Sequence, residues 1–183
     1  MKKLFILFLL LFAVTQNYSQ GKNSETRKFI ENAEITQINR DWNIKAEFKS
    51  GLSDIVSFFP IEVIDLKSNR KVKSLQLDIT LKYHANNNNF KSSWIDLNEV
   101  DEFIIFLEQY VIPNLKDKTE QNQSTTYVFN SKEIMFSFKI QNSSRRISIY
   151  LKDDGVIDYE NYFWTETQVG KIPELLKMLK EIK

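Results

Sequence analysis

The stretch Lys91–Pro113, KSSWIDLNEVDEFIIFLEQYVIP, changes period partway along, reading as strand before Asn98 and as helix after it. Val100, Phe103, Ile104, Leu107 and Val111 recur at steps of three and four residues, which stacks them on one helical face. Such a face has to be buried, and Ile105, Phe106, Tyr110 and Ile112 widen it until the helix must touch protein on more than one side. Asn98 is suited to accept N–H groups as the cap, and Glu99, Asp101 and Glu102 place negative charge where the first turn favours it. Pro113 stops the run, because its ring clashes with the preceding turn. The spacing predicts a helix over 98–112, about 22 Å long at ~1.5 Å per residue.

Around this helix the chain reads mostly as strands. Leu75, Leu77, Ile79, Leu81 and Tyr83 alternate with Ser74, Gln76, Asp78, Thr80 and Lys82, giving one apolar and one polar face, the pattern of an antiparallel sheet covered on one side. Before it, strands are expected around Ile35–Ile38 and Ile44–Phe48. A short apolar run Ile55–Phe59 is stopped by Pro60, and Ile61–Leu66 resumes after it. Asn86–Asn89 reads as a polar connection. After the helix, Tyr127 and Phe129, then Ile134–Ile140, Ile147–Leu151 and Val156–Trp164 form a meander whose turns include Asp154-Gly155. Ile172, Leu175, Leu176, Leu179 and Ile182 share one face of a closing helix over 172–182, with Pro173 tolerated in its first turn.

The expected fold is therefore α+β: an antiparallel sheet of about seven to nine strands with the two helices packed on one face. Asn98–Leu107 aligns without gaps on Gly170–Leu179, setting Val100, Phe103, Ile104 and Leu107 over Ile172, Leu175, Leu176 and Leu179. Each helix follows a strand holding a tryptophan, Trp94 or Trp164, so two repeated strands-then-helix halves are one reading and ordinary amphipathic periodicity is the other.

At the start, Lys2 and Lys3 precede an apolar run from Leu4 to Val14, the charged and hydrophobic regions of a secretory signal peptide and too short to span a bilayer. Cleavage is expected near Ser19, with a flexible lead-in over 20–28 and a single domain over 29–183. Taking 19 of the 183 residues away leaves 164, enough for one domain with a real core. Lys2 and Lys3 are lost with them, so 25 basic residues become 23 against 24 acidic ones. That near-neutral, interspersed balance gives no long-range attraction for nucleic acid. Without cysteine, disulfides, thiolate metal sites and an acyl anchor are excluded. Location in the periplasm or outside the cell is expected, with no stable membrane anchor.

The chemistry-bearing motifs are sparse. His84 is the single histidine and ends a strand on its polar side. Gly-rich phosphate loops, G-x-S-x-G and H-E-x-x-H are lacking, and no cofactor or metal is expected. Asp153, Asp154, Asp158 and Glu160 lack calcium-loop spacing. Arg145 and Arg146 are neighbours on a strand and so point to opposite faces. Among Asp96, Glu99, Asp101 and Glu102 a glycosidase-like pair would need two carboxyls across one cleft; helix capping explains them more simply, and Glu99→Gln is then expected to cost little.

Aromatic residues make up 13% of the chain and gather in the last strand, so core packing competes there with an aromatic binding surface. Trp94, Tyr150, Tyr159, Tyr162 and Trp164 are the candidate ligand- or partner-binding residues.

Strands leading into Ser93-Trp94-Ile95-Asp96-Leu97-Asn98-Glu99-Val100, then an amphipathic helix, more strands and a C-terminal helix, resemble uncharacterised families of small exported bacterial proteins. The resemblance implies architecture and export and brings no activity. The function expected is a noncatalytic module that binds a protein or small ligand. Two alternatives are a carrier holding an apolar ligand between helices and sheet, and a carboxylate-dependent hydrolase.

Overall fold

The computed structural model describes residues 23–84 and 87–182, leaving aside the side chains of 83–88. The expected signal peptide, positions 20–22 of the lead-in and the imidazole of His84 lie outside the described residues. Among the described residues the fold is α+β with nine strands, divided between a five-stranded and a four-stranded antiparallel sheet.

The first sheet holds β1 (Thr36–Arg40), β2 (Ala46–Lys49), β3 (Ile55–Asp65), β4 (Lys71–His84) and β5 (Asn87–Asp96). β1 and β2 pair in succession with β3, whose partner on the other side is β4, and β5 closes the far edge. β3 continues through Pro60, where the sequence suggests a break. β2 pairs as far as Phe58 and β1 from Ile61, so Pro60 falls in the gap between them and its missing N–H empties no ladder position. Asn87–Asn89, read as a connection, belong to β5, where Asn89 pairs with Leu81.

From β5 the chain enters α2 (Leu97–Phe106), which is extended by a π-helical turn, Leu107–Val111. Its cap is Asp96 rather than Asn98. The wider turn offsets the drift of an i, i+4 series, leaving Phe103, Leu107 and Val111 all fully buried. The second sheet is a meander of β6 (Ser124–Asn130), β7 (Ile134–Gln141), β8 (Ser144–Asp153) and β9 (Val156–Thr165). A single 3₁₀ turn, Val169–Lys171, leads into α3 (Ile172–Glu181), which packs on α2 and β2.

Side chains of α2 pack against both sheets. The Phe103 ring reaches Phe58 of the first sheet at 6.5 Å and stacks on Phe129 of the second at 4.6 Å, with Phe136 edge-on at 5.2 Å. The larger of two apolar clusters therefore draws on both sheets and both long helices. Ile105 and Tyr110 stay exposed. Three of the four aligned pairs are fully buried in both helices, Val100, Phe103 and Leu107 against Ile172, Leu175 and Leu179, whereas Ile104 is buried and its counterpart Leu176 only half-buried.

The last residues of the expected lead-in, 25–28, belong to a helix. Glu25–Asn32 form α1, capped by Ser24, whose Oγ accepts the Arg27 N–H at 3.0 Å. With Phe29 and Ile30 as its apolar pair, this helix lies on the outer face of the first sheet against Val63, Val72 and Trp94. The polar face of β4 is covered rather than solvated: Ser74, Gln76 and Asp78 are buried, with Asp78 accepting from Gln76 and Ser92. A short polar helix with two apolar residues has too little periodicity to be seen in the sequence.

Candidate functional site

Alternation along β8 and β9 sends Ile147, Ile149, Leu151 and Phe163 into the core and Arg146, Ser148, Tyr150, Tyr162 and Trp164 to the outer face of the second sheet. Register then sets the outward residues in rows. Met135, Tyr150 and Tyr162 lie side by side on β7, β8 and β9, and the adjacent row is Val128, Ser137, Ser148 and Trp164. The Tyr150 and Tyr162 rings stack at 5.3 Å, and Tyr159 meets Tyr150 edge-on at 6.2 Å. Tyr159 is 72% exposed and Tyr162 40%.

Tyr159 reaches the cluster because the ladder is irregular: Tyr150 pairs with Tyr162, whereas Lys152 pairs with Ile157. The intervening residues fold around Asp158. Its Oδ1 accepts the N–H groups of Glu160 at 3.0 Å and Asn161 at 3.3 Å, while Oδ2 accepts from Asn161 Nδ2 at 2.6 Å and Lys91 Nζ at 2.9 Å. Partial burial works against this charge, but those donors outweigh it and hold the carboxyl below its usual range. Lys91 and Asn89 belong to β5, so these contacts also tie the edge of the second sheet to the first.

Beside the tyrosines a depression of about 290 Å³ opens between β9, the end of β4 and the turn before β3. Tyr162, Trp164 and Glu160 line one side, and Leu52, Asp54, Leu81 and Lys82 the other. Asp54 is held by the Lys82 N–H on Oδ1 and by the Ser50 hydroxyl on Oδ2, each at 3.0 Å. The outer side of Trp164 carries the guanidinium of Arg146, 4.4 Å from the ring centroid, and that guanidinium is paired with Glu166.

Of the five residues singled out in the sequence, Tyr150, Tyr159, Tyr162 and Trp164 share one face. Trp94 does not join them. It stands on the outer face of the first sheet under Arg27, whose guanidinium lies 4.8 Å from its ring. Asp54 and Lys82 give no sequence signal, and Glu160, considered only as part of an acidic cluster, could not be joined to them in sequence because 106 and 78 residues separate it from the two.

The carboxylates considered for hydrolysis have other partners. Asp96 accepts the N–H groups of Glu25 at 2.8 Å and Thr26 at 3.0 Å, the Thr26 hydroxyl and Lys132 Nζ. Burial pushes its carboxyl up, but these bonds prevail and hold it low. Glu99 accepts from the backbone of Lys132 and of Asp96, and its burial outweighs both and raises it. Both carboxylates hold backbone in place, and Glu102 points to solvent. The space between helices and sheets, where an apolar cargo would sit, is filled by Phe58, Phe103, Phe106, Phe129 and Phe136.

Among the described residues no three His, Cys, Asp or Glu side chains are placed to hold a metal ion, and no helix is long and apolar enough to cross a membrane. Comparison of the chain with protein-family models, with curated proteins and with solved structures gives no match.

Proposed function

We propose that this chain is an exported, noncatalytic binding domain that takes its ligand on the outer face of the second sheet. The observation that carries the reading is the set of four aromatic side chains, Tyr150, Tyr159, Tyr162 and Trp164, on one sheet face beside a depression, with Tyr159 and Tyr162 exposed and the other two half-buried. Side chains of this size bury themselves when nothing opposes it, so exposed rings at a built turn are a feature of interaction surfaces. The basic start and apolar run at Lys2–Val14 support placing the domain in the periplasm or outside the cell.

Ligand-dependent thermal shift against a panel of saccharides, amines and peptides tests the reading, run on the protein and on Tyr159→Ala and Trp164→Ala. A ligand that raises the midpoint of the wild type but not that of Trp164→Ala supports it. A ligand whose effect survives both substitutions, or a measured turnover, overturns it.

A further inference from the structure

We infer that the ligand is a neutral glycan, with one pyranose ring in the depression between Trp164, Tyr162, Asp54 and Glu160, an inference that rests on the binding reading above. The lining chemistry selects among ligand classes. An anion would meet Asp54 and Glu160. A cation would meet Lys82 on one side and, at Trp164, a ring already carrying the Arg146 guanidinium. A wholly apolar molecule would strip water from Asp54, Lys82 and Glu160 and offer them no hydrogen bonds in return.

A sugar ring satisfies both kinds of wall. Its C–H face is apolar and weakly positive, which suits the electron-rich face of an aromatic ring. Its hydroxyls donate to carboxylates in charge-assisted bonds, about twice as strong as neutral ones. Asp54 is oriented by its bonds from Lys82 N–H and Ser50, one to each oxygen, and a carboxylate oxygen has two lone pairs, so each retains capacity to accept a hydroxyl. Lys82 supplies a donor for a ring oxygen or hydroxyl. The volume, about 290 Å³, is close to the lower end of ligand pockets and suits one ring rather than an enclosed oligomer.

The neighbouring rings extend the surface beyond that one unit. Tyr162 and Trp164 are successive outward residues of one strand, roughly 7 Å apart along it. Tyr162 stacks on Tyr150, and Tyr150 meets Tyr159, so the aromatic strip continues away from the depression across β8. A glycan chain leaving the depression would run over these tyrosines. Affinity should therefore rise with chain length, from monosaccharide to tetrasaccharide.

The test is electrophoresis of the protein in native gels containing a soluble β-glucan, xylan, galactomannan or amylose, followed by calorimetry with oligosaccharides of whichever retards it. The expected result is retardation by at least one of the four. Trp164→Ala and Tyr162→Ala should weaken the affinity tenfold or more, and Glu160→Gln about fivefold. Tyr159→Ala, at the most exposed ring, should leave the fold intact and lower affinity only for the longer oligosaccharides, while Tyr110→Ala, in the π-helical turn after α2, should leave affinity unchanged. If none of the four polysaccharides retards the wild type, the glycan assignment is overturned. If an amine or peptide ligand from the thermal-shift panel is then lost in Trp164→Ala, the surface stands and only its ligand class was wrong. Retardation that is the same in wild type, Trp164→Ala and Tyr162→Ala would place a glycan elsewhere and overturn both readings.

Discussion

Glu133 accepts both arms of the Arg27 guanidinium, Nε on Oε1 at 2.9 Å and Nη2 on Oε2 at 2.8 Å, across 106 residues of chain. The same carboxylate accepts the backbone N–H groups of Ser24 and Trp94 and is almost wholly buried. Asp96 grips the next two residues of α1, so the helix is clamped between the last residue of the first sheet and the first turn of the second. A planar guanidinium facing a carboxylate in this bidentate way fixes direction as well as distance. Removing one member of a buried ionic group leaves the other members without partners, typically at about 3–5 kcal/mol. Glu133→Ala is expected to lower stability by that amount and to release α1. A denaturant midpoint matching the wild type, together with undiminished hydrogen-exchange protection of Lys28–Asn32, would contradict this role.

Asp96 and Glu99 are expected to respond to pH with opposite signs. Asp96 is held below its ordinary value, so its contribution is complete above the unfolded pKa of about 3.9 and is lost as pH falls through the lower folded value. Glu99 is raised by burial, so ionising it in the fold is unfavourable, and stability declines as pH rises from about 4.3 through the higher folded value. Asp96→Asn should flatten the acid limb of a stability-against-pH curve, and Glu99→Gln should remove the decline above it. Unfolding series at several pH values for the two variants provide the measurement.

The same geometry revises the small cost expected for Glu99→Gln from the sequence. The amide keeps one acceptor but turns its NH₂ toward a donor, either the Lys132 or the Asp96 N–H. A loss of about 1 kcal/mol is expected, against roughly 2–3 kcal/mol for Asp96→Asn, which loses charge-assisted bonds to the start of α1. Midpoints at neutral pH that rank the two variants the other way round would refute the assignment.

Phe103 touches both sheets, so truncating it should be felt by the whole core. Phe103→Ala is expected to cost about 3–5 kcal/mol, and Phe103→Asp to prevent folding by burying an unpaired charge. Circular dichroism and thermal melting of the two variants check this, with Ile105→Ala as the exposed comparison, which should stay within about 0.5 kcal/mol of wild type.

Asp158 shapes the turn that sets Tyr159 against Tyr150. Its replacement by Ala removes four hydrogen bonds, two to backbone, and frees the β9 irregularity. A cost of about 1–2 kcal/mol is expected, with ligand binding reduced more than stability suggests, because the aromatic strip loses its alignment. Parallel melting and affinity measurements on Asp158→Ala would show whether the two effects separate.

Local pattern was enough to define the strongest elements. Apolar residues at two-residue steps marked β4, β7 and β8, and three- and four-residue steps marked α2 and α3, because burial on one face imposes those periods whatever the partner is. Asp96, Glu99 and the tyrosines of β9 were visible as residue types, but their roles were not. What Asp96 accepts depends on Glu25 and Thr26, about 70 residues earlier in the chain, and β3 passes Pro60 only because its two edge partners leave a gap there. The division into two sheets, the packing of α2 side chains against both, and the placing of Asp54 and Trp164 around one depression all follow from contacts distant in sequence. Periodicity dictates which side of an element is apolar; only the packed chain decides what that side meets, and which rings on the opposite side remain in water.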